Sequence, residues 1–134
     1  MEDPAIAASR GSGHHEPSHP GGPEPLPESI QIQLKKGVLE MCVLTRLARG
    51  DSYGYEIFSR LLAQIGMGEG TIYPLMRRMQ ADGLVTTYLA ESSGGGAPRK
   101  YYKITEQGRA ALVAQRAEWT DFRSAVDAIL AEEP

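Results

Sequence analysis

Cysteine, tryptophan and long apolar runs are nearly absent from this chain, which has a single Cys and a single Trp in 134 residues. The lone Cys42 excludes an internal disulfide and is typical of a reducing compartment. Because it falls on an apolar helical stripe, we interpret it as a core residue rather than a redox switch. No stretch approaches the length of a membrane span, and the amino terminus lacks the apolar segment of a signal peptide. We therefore expect a cytoplasmic protein that does not associate with membranes.

Histidine is also scarce, and its distribution argues against catalysis. His14, His15 and His19 are the three histidines, and all lie near the amino terminus. Without nearby cysteines we interpret them as solvated rather than as metal ligands. No Ser-His-Asp set, HExxH motif or phosphate-cradling loop is present. The sequence therefore predicts a protein that is not an enzyme and has neither a metal nor a cofactor.

Charge divides the chain into three parts. Residues 1–29 carry a net charge of −4 and six of the nine prolines, which predicts a disordered tail. Residues 30–104 carry +4, and residues 105–134 carry −3. A basic unit between acidic ends can bind a polyanion through its local field although the whole chain is acidic. We take these parts as tail, DNA-binding domain and C-terminal helix.

Three helical patterns precede a hairpin pattern between Leu34 and Ile104. Residues at helical spacing are Leu34, Val38, Met41, Cys42 and Thr45 in the first pattern, with Leu44 and Leu47 widening the stripe. They are Ile57, Phe58, Leu61 and Leu62 in the second pattern, and Ile72, Leu75, Met76 and Met79 in the third. Asp51 and Ser52 are N-cap candidates for the second helix, and Gly83 ends the third. Residues 84–89 and 99–104 are rich in β-branched and aromatic residues, which predicts two strands.

This order of elements predicts a fold that is mainly α with a small β-hairpin, namely a winged helix-turn-helix followed by a long C-terminal helix. The third helix leaves polar side chains on its outer face, and basic residues begin the return strand of the hairpin. The predicted DNA-binding residues are Tyr55, Thr71, Tyr73, Pro74, Arg77, Arg78, Arg99 and Lys100. Two alternatives stay open: the arginines form a solvated helix face, and the tyrosines support the fold. A winged-helix protein-interaction module without direct DNA binding is the competing function.

The C-terminal helix has a cap and an apolar seam. Thr105 is the predicted cap, and Glu106 lies in the first turn. The seam comprises Leu112, Trp119, Phe122, Val126 and Ile129, with Gln115 as a polar interruption. A seam this short predicts packing on both its own domain and a second subunit. Trp119 is interpreted as an interface residue; the sharper hypothesis is that two copies of it flank a gap for a flat aromatic effector, with Phe122 as a wall.

Four motifs occur in an order that resembles the PadR family of bacterial transcriptional regulators. They are residues 53–57 (YGYEI), 70–75 (GTIYPL), 82–85 (DGLV) and 98–105 (PRKYYKIT). The resemblance covers roughly residues 34–130 and implies the compact branch with a single C-terminal helix. It implies a homodimeric repressor that is associated with the nucleoid when bound and reads an inverted-repeat operator. Glu69 and the tail depart from the family pattern.

Overall fold

The structure is a computed structural model that describes residues 28–92 and 94–132. In chain order, the elements are α1 (Glu28–Ala48), β1 (Ser52–Tyr53), α2 (Gly54–Ile65), α3 (Glu69–Ala81), β2 (Val85–Ala90), β3 (Arg99–Ile104) and α4 (Glu106–Leu130). The predicted class, mainly helical with a small sheet and a long C-terminal helix, is confirmed. The predicted disordered tail lies outside the described residues, apart from its last two positions, which begin α1.

Helix α1 buries only one edge of its predicted apolar face, the edge formed by Leu44 and Leu47. Its core residues are Leu39, Val43, Leu44 and Leu47. The predicted stripe through Val38, Met41 and Cys42 is only half-buried. Both stripes are apolar, so spacing alone did not identify the one that faces the core. Burial raises the pKa of the Cys42 thiol, which disfavours the reactive thiolate and agrees with a packing role.

Helices α2 and α3 form the helix-turn-helix around the predicted apolar faces. Ile57 and Leu61 are buried in α2, which ends at Gly66 in the left-handed region with φ 73°. In α3 all four predicted core residues are buried, namely Ile72, Leu75, Met76 and Met79. Met67, in the connection, joins the same core. The spacing of apolar residues therefore defined both α3 and its buried face.

The end of α3 is fixed by Gly83, as predicted. Gly83 has φ 80°, and its N–H donates to the Gln80 carbonyl oxygen at 3.1 Å. The Leu84 N–H donates to the Met79 carbonyl oxygen at 2.9 Å. These two bonds form a Schellman motif, which satisfies carbonyls that the helix end would leave unpaired. The chain thereby turns directly from α3 into the sheet.

The sheet has three antiparallel strands in the order β1-β3-β2. Strand β1 was not predicted, and Ser52, expected to cap α2, belongs to it instead. Tyr53 occupies the cap position without a side-chain bond, while the buried Ser52 hydroxyl donates to the Glu56 carboxylate. Arg46 lies 3.6 Å from the same carboxylate. These polar contacts join α1, β1 and α2, so Ser52 stabilises the fold by another route than capping.

Thr105 joins the sheet to α4. Its Oγ1 accepts from the Gly108 N–H at 2.9 Å, which confirms the predicted cap. The same hydroxyl lies 2.7 Å from the Gly83 carbonyl oxygen. Gly108 is buried so closely that an added Cβ would lie 2.2 Å from the Leu84 carbonyl oxygen. The start of α4 is therefore packed tightly onto the turn that follows α3.

Candidate nucleic-acid interface

The outer face of α3 carries Thr71, Pro74, Arg77 and Arg78, opposite the buried apolar face. Gly68 adopts an extended conformation at the start of the helix, and Glu69 lies in the first turn. Pro74 lacks the N–H that would bond to the carbonyl four residues earlier, but α3 continues to Ala81. The face is therefore regular enough to present hydroxyl and guanidinium groups together.

The two adjacent arginines lie in different surroundings. Arg77 is exposed and has no ion-pair partner among the described residues. Arg78 Nη2 lies 3.2 Å from Glu40 Oε1 on α1, and the Arg78 side chain is 55% exposed. One guanidinium can therefore reach a ligand directly, whereas the other is bonded to the supporting helix. The helical pattern alone did not distinguish the two arginines.

A groove of about 360 Å³ runs between α1 and α3. It is lined by Lys36, Leu39, Gly70, Thr71, Pro74, Leu75 and Arg78. Lys36 is exposed there and adds a cation that sequence reasoning missed. Its neighbour Lys35 instead donates to the Ile65 carbonyl oxygen at 2.9 Å, at the end of α2. The Lys35-Lys36 pair on the helix before the helix-turn-helix was the available signal, but spacing did not tell which lysine faces α3.

Tyr55 and Tyr73 flank the ring of Phe58. The centroids of Phe58 and Tyr73 are 5.9 Å apart in a stacked arrangement, and those of Tyr55 and Phe58 are 6.0 Å apart. Tyr55 is exposed and Tyr73 is half-buried. Burial, with a smaller contribution from the Glu69 carboxylate, raises the pKa of Tyr73. The rings thus support the helix pair, and the phenol groups lie at its surface.

Arg99 and Lys100 lie at the loop end of the β2-β3 hairpin, on opposite faces. Arg99 pairs in register with Ala90, and its guanidinium carbon lies 4.4 Å from the centre of the Tyr53 ring. The Lys100 ammonium lies 5.6 Å from the Tyr102 ring. Cation–π contacts of this kind hold the side chain without consuming its charge. The two predicted wing cations are therefore neighbours in sequence, but their side chains lie on different sides of the sheet.

Three tyrosines pack against one another across the outer face of the sheet, with Tyr88 stacked on Tyr101 and Tyr53 edge-on to it. Sequence reasoning missed this arrangement. Tyr101 lies between Tyr53 and Tyr88, with ring centroids 5.6 Å apart on each side. The Tyr88 hydroxyl donates to Asp51 Oδ2 at 2.6 Å, and this bond raises the pKa of Tyr88. Alternation along β3 could have placed Tyr101 on the outer face. The contacts depend on the register with β1, which no pattern indicated.

Helix α4 divides its predicted seam between the core and the surface. Leu112 is 7% exposed and belongs to the core of its own chain, so its side chain has little surface left for a second subunit. Phe122 and Ile129 are 62% and 63% exposed, and Val126 is half-buried. The reason is that only the first turns of α4 pack on the sheet and α1. The apolar surface available to another molecule therefore begins at Trp119.

Two cavities flank Trp119. One of about 470 Å³ is lined by Trp119 and Phe122 together with Gly37, Val38, Met41, Ala114, Gln115 and Glu118. The other, of about 430 Å³, is bordered by Trp119 and by four arginines, Arg46, Arg49, Arg60 and Arg116, among other residues. The ring therefore has an apolar space on one side and a cationic one on the other.

The described residues contain no group of three or more His, Cys, Asp or Glu side chains arranged to hold a metal ion. No helix in the described part of the chain combines the length and apolarity that a bilayer crossing requires.

The helix-turn-helix, the hairpin beside it and the exposed basic face of α3 define a winged helix-turn-helix protein of the kind that regulates transcription. The family model described as "Transcriptional regulator PadR-like family" matches residues 43–114, more than half of the chain. The chain belongs to this family, whose members are DNA-binding transcription regulators rather than enzymes.

Solved structures of family members agree with this assignment. A PadR-like transcriptional regulator from Bacillus cereus strain ATCC 14579 is 38% identical, with a TM-score of 0.69; the match covers 75% of this chain and 99% of that one. A PadR family regulator from Eggerthella lenta DSM 2243 is 33% identical, with a TM-score of 0.67, and the match covers 78% and 92%. An uncharacterized protein of Lysinibacillus sphaericus is 28% identical over 102 residues, covering 73% of this chain and 93% of that protein.

Proposed function

We propose that this regulator is a homodimeric repressor that binds an inverted-repeat operator in the bacterial cytoplasm and associates with the nucleoid when bound. A small molecule or another signal releases it. The observation that carries the proposal is the outer face of α3. There Arg77 is exposed, and Thr71 and Arg78 line a groove together with Lys36 of α1. A helix with free guanidinium and hydroxyl groups on one face, and a buried apolar face behind it, suits insertion into a major groove.

The proposed contacts fall into two groups. The first group meets base edges and the adjoining DNA backbone. It comprises Tyr55 on α2 and, on α3, Thr71, Tyr73, Pro74, Arg77 and Arg78. Arg99 and Lys100 on the hairpin meet phosphates or the minor groove. The opposite faces of these two cations suit a hairpin that lies along the backbone with phosphates on both sides.

The proposed dimer forms through α4. One face of α4 carries an apolar strip in which Phe122 and Ile129 are more than half exposed; the strip comprises Trp119, Phe122, Val126 and Ile129. Covering such a strip with the same strip of a second subunit removes it from water in both. Two recognition helices would then lie about 34 Å apart and contact successive turns of the same DNA face.

The proposed effector site adjoins Trp119. The cavity of about 470 Å³ has the size of a small-molecule site and is walled by two aromatic rings. The arginines across Trp119 favour an effector with an anionic group on a flat apolar body. Release requires that such a molecule bind the DNA-free form more tightly than the bound form.

The test begins without a known operator. The full chain selects duplexes from a random-sequence pool at moderate salt, and sedimentation in the same buffer gives its oligomeric state. We expect an enriched inverted repeat and a dimer. A reporter promoter that overlaps the selected sequence should be silenced by the protein. If the folded protein enriches no sequence at moderate salt or in a repeat selection at low salt, the result would favour the protein-interaction module over the regulator proposed here.

A further inference from the structure

Glu40 on α1 contacts both the recognition helix and the C-terminal helix. Its Oε1 accepts from Arg78 Nη2 at 3.2 Å, and its Oε2 accepts from Gln115 Nε2 at 2.5 Å. The Glu40 side chain is only 21% exposed. A carboxylate with so little water around it depends on its protein donors. A change at the Gln115 donor therefore affects how the carboxylate holds Arg78, although the two donors lie on different helices.

Gln115 is the polar residue that interrupts the apolar seam of α4. Its amide nitrogen is bonded to Glu40, whereas its Oε1 is buried without a hydrogen-bond partner among the described residues. An amide with one group unsatisfied gives up its position more readily than one whose groups are all bonded. Gln115 also lines the cavity of about 470 Å³ beside Trp119. A molecule in that cavity would therefore contact the residue that holds Glu40.

We propose that Glu40 is a positioning residue for Arg78, and that Gln115 makes the orientation of Arg78 depend on what occupies the cavity beside Trp119. With Gln115 in place, one carboxylate oxygen is engaged by the amide, and Arg78 is bonded through one nitrogen only. Its other N–H groups are then available to DNA. When the amide is displaced, both oxygens turn to Arg78, and the bidentate pair withdraws the guanidinium from the groove. The inference rests on the proposed function and supplies its route of release.

The experiment is a double-mutant cycle in the full-length protein. The probe is the duplex that the wild type selects from the random pool, with a scrambled duplex for comparison. Q115L removes the amide, and we expect the preference for the selected duplex to fall about fivefold or more. E40Q removes the carboxylate that captures Arg78. In that background Q115L should change the preference less than twofold, because the two residues act through one path.

Controls separate this relay from loss of structure. Glu132→Gln removes an exposed negative charge from the end of α4 and should leave the preference unchanged. Sedimentation and thermal unfolding of every variant establish the folded dimer fraction. If Q115L weakens the dimer, Gln115→Glu replaces it, because two facing carboxylates repel and drive Glu40 onto Arg78 in the same direction.

Two outcomes overturn the inference: additive effects of the two substitutions, or an unchanged preference in all variants while the wild type discriminates. A wild type that selects no duplex contradicts the proposed function itself, so the two failures are distinguishable.

Discussion

Arg77 and Arg99 carry the same charge in different settings, and their substitution should give different results. Arg77 is exposed on α3, whereas Arg99 lies against the Tyr53 ring at the hairpin. We expect Arg77→Ala to lower discrimination at one base position by about 1–3 kcal/mol. Arg99→Ala should weaken binding to all DNA sequences alike. It should also reduce the slope of log affinity against log salt concentration by about one unit. Anisotropy titrations over a salt series measure both.

Lysine substitutions provide the controls. Arg99→Lys keeps the charge and should retain the salt slope, while Arg77→Lys loses the bidentate geometry and should still lose discrimination. Equal small effects at both positions would contradict the placement of α3 in the groove.

Gly108 is the residue at which a methyl group should be least tolerated. Its Cβ would meet the Leu84 carbonyl oxygen at 2.2 Å and Ile104 Cγ1 at 2.9 Å. We expect Gly108→Ala to lower the free energy of unfolding by roughly 1–3 kcal/mol, because backbone must shift to admit it. Gly70→Ala is the matched control, since nothing lies within 4 Å of its added Cβ, and it should be neutral or stabilising. Urea unfolding of both variants decides, and equal stabilities would show that the junction yields freely.

At the scale of the elements, the sheet and the helix pair each contain a tyrosine that should lose its proton at a higher pH than an ordinary tyrosine. The bond to Asp51 raises the pKa of Tyr88, and burial raises that of Tyr73, both from the ordinary value of 10.0. Folding thus favours the protonated phenols. Their contribution to stability is complete below about pH 10 and declines as pH rises through the raised folded-state pKa.

An absorbance titration of phenolate formation, with stability measured alongside, tests this expectation. Tyr88→Phe and Tyr73→Phe should each remove part of the phenolate absorbance that forms above the ordinary tyrosine range. A titration that shows no tyrosine above the ordinary range in the wild type would contradict it.

The elements also show which features a single sequence can indicate. Every buried residue of α3 was predicted, because the helix has only one apolar stripe. Helix α1 has two apolar stripes, since it contacts both the core and the α4 side. The prediction centred on the half-buried stripe and took only Leu44 and Leu47 from the buried one. Strand β1 has two residues and no pattern of its own. It exists because its register with β3 places Tyr53 against Tyr101.

The candidate site divides in the same way. The polar face of α3 and the basic hairpin follow from local spacing. The bond between Glu40 and Arg78 joins positions 38 residues apart, and the bond between Glu40 and Gln115 joins positions 75 apart. Such contacts are set by how the helices pack. Leu112 illustrates the same limit, because a heptad position does not tell which neighbour covers it.

At the scale of the whole molecule, the proposed dimer predicts that Phe122→Asp will dissociate it and abolish binding to the selected duplex. A charge in an apolar strip cannot be covered by a second subunit without a large desolvation penalty. Val113→Asp is the control: Val113 is 72% exposed on the same helix, about two and a half turns earlier and so on the opposite face. Sedimentation equilibrium should show a monomer for the first variant and a dimer for the second; a dimeric Phe122→Asp would place the interface elsewhere.

The junction at Thr105 has a consequence for the operator. One hydroxyl joins the Gly83 carbonyl oxygen to the Gly108 N–H, and no flexible linker separates the sheet from α4. In the proposed dimer, each winged helix-turn-helix is therefore rigidly attached to the α4 helices that join the two subunits. One base pair added between half-sites turns one of them by roughly 35° around the duplex. A stiff protein cannot follow that rotation, so spacer length should be read as strictly as base identity.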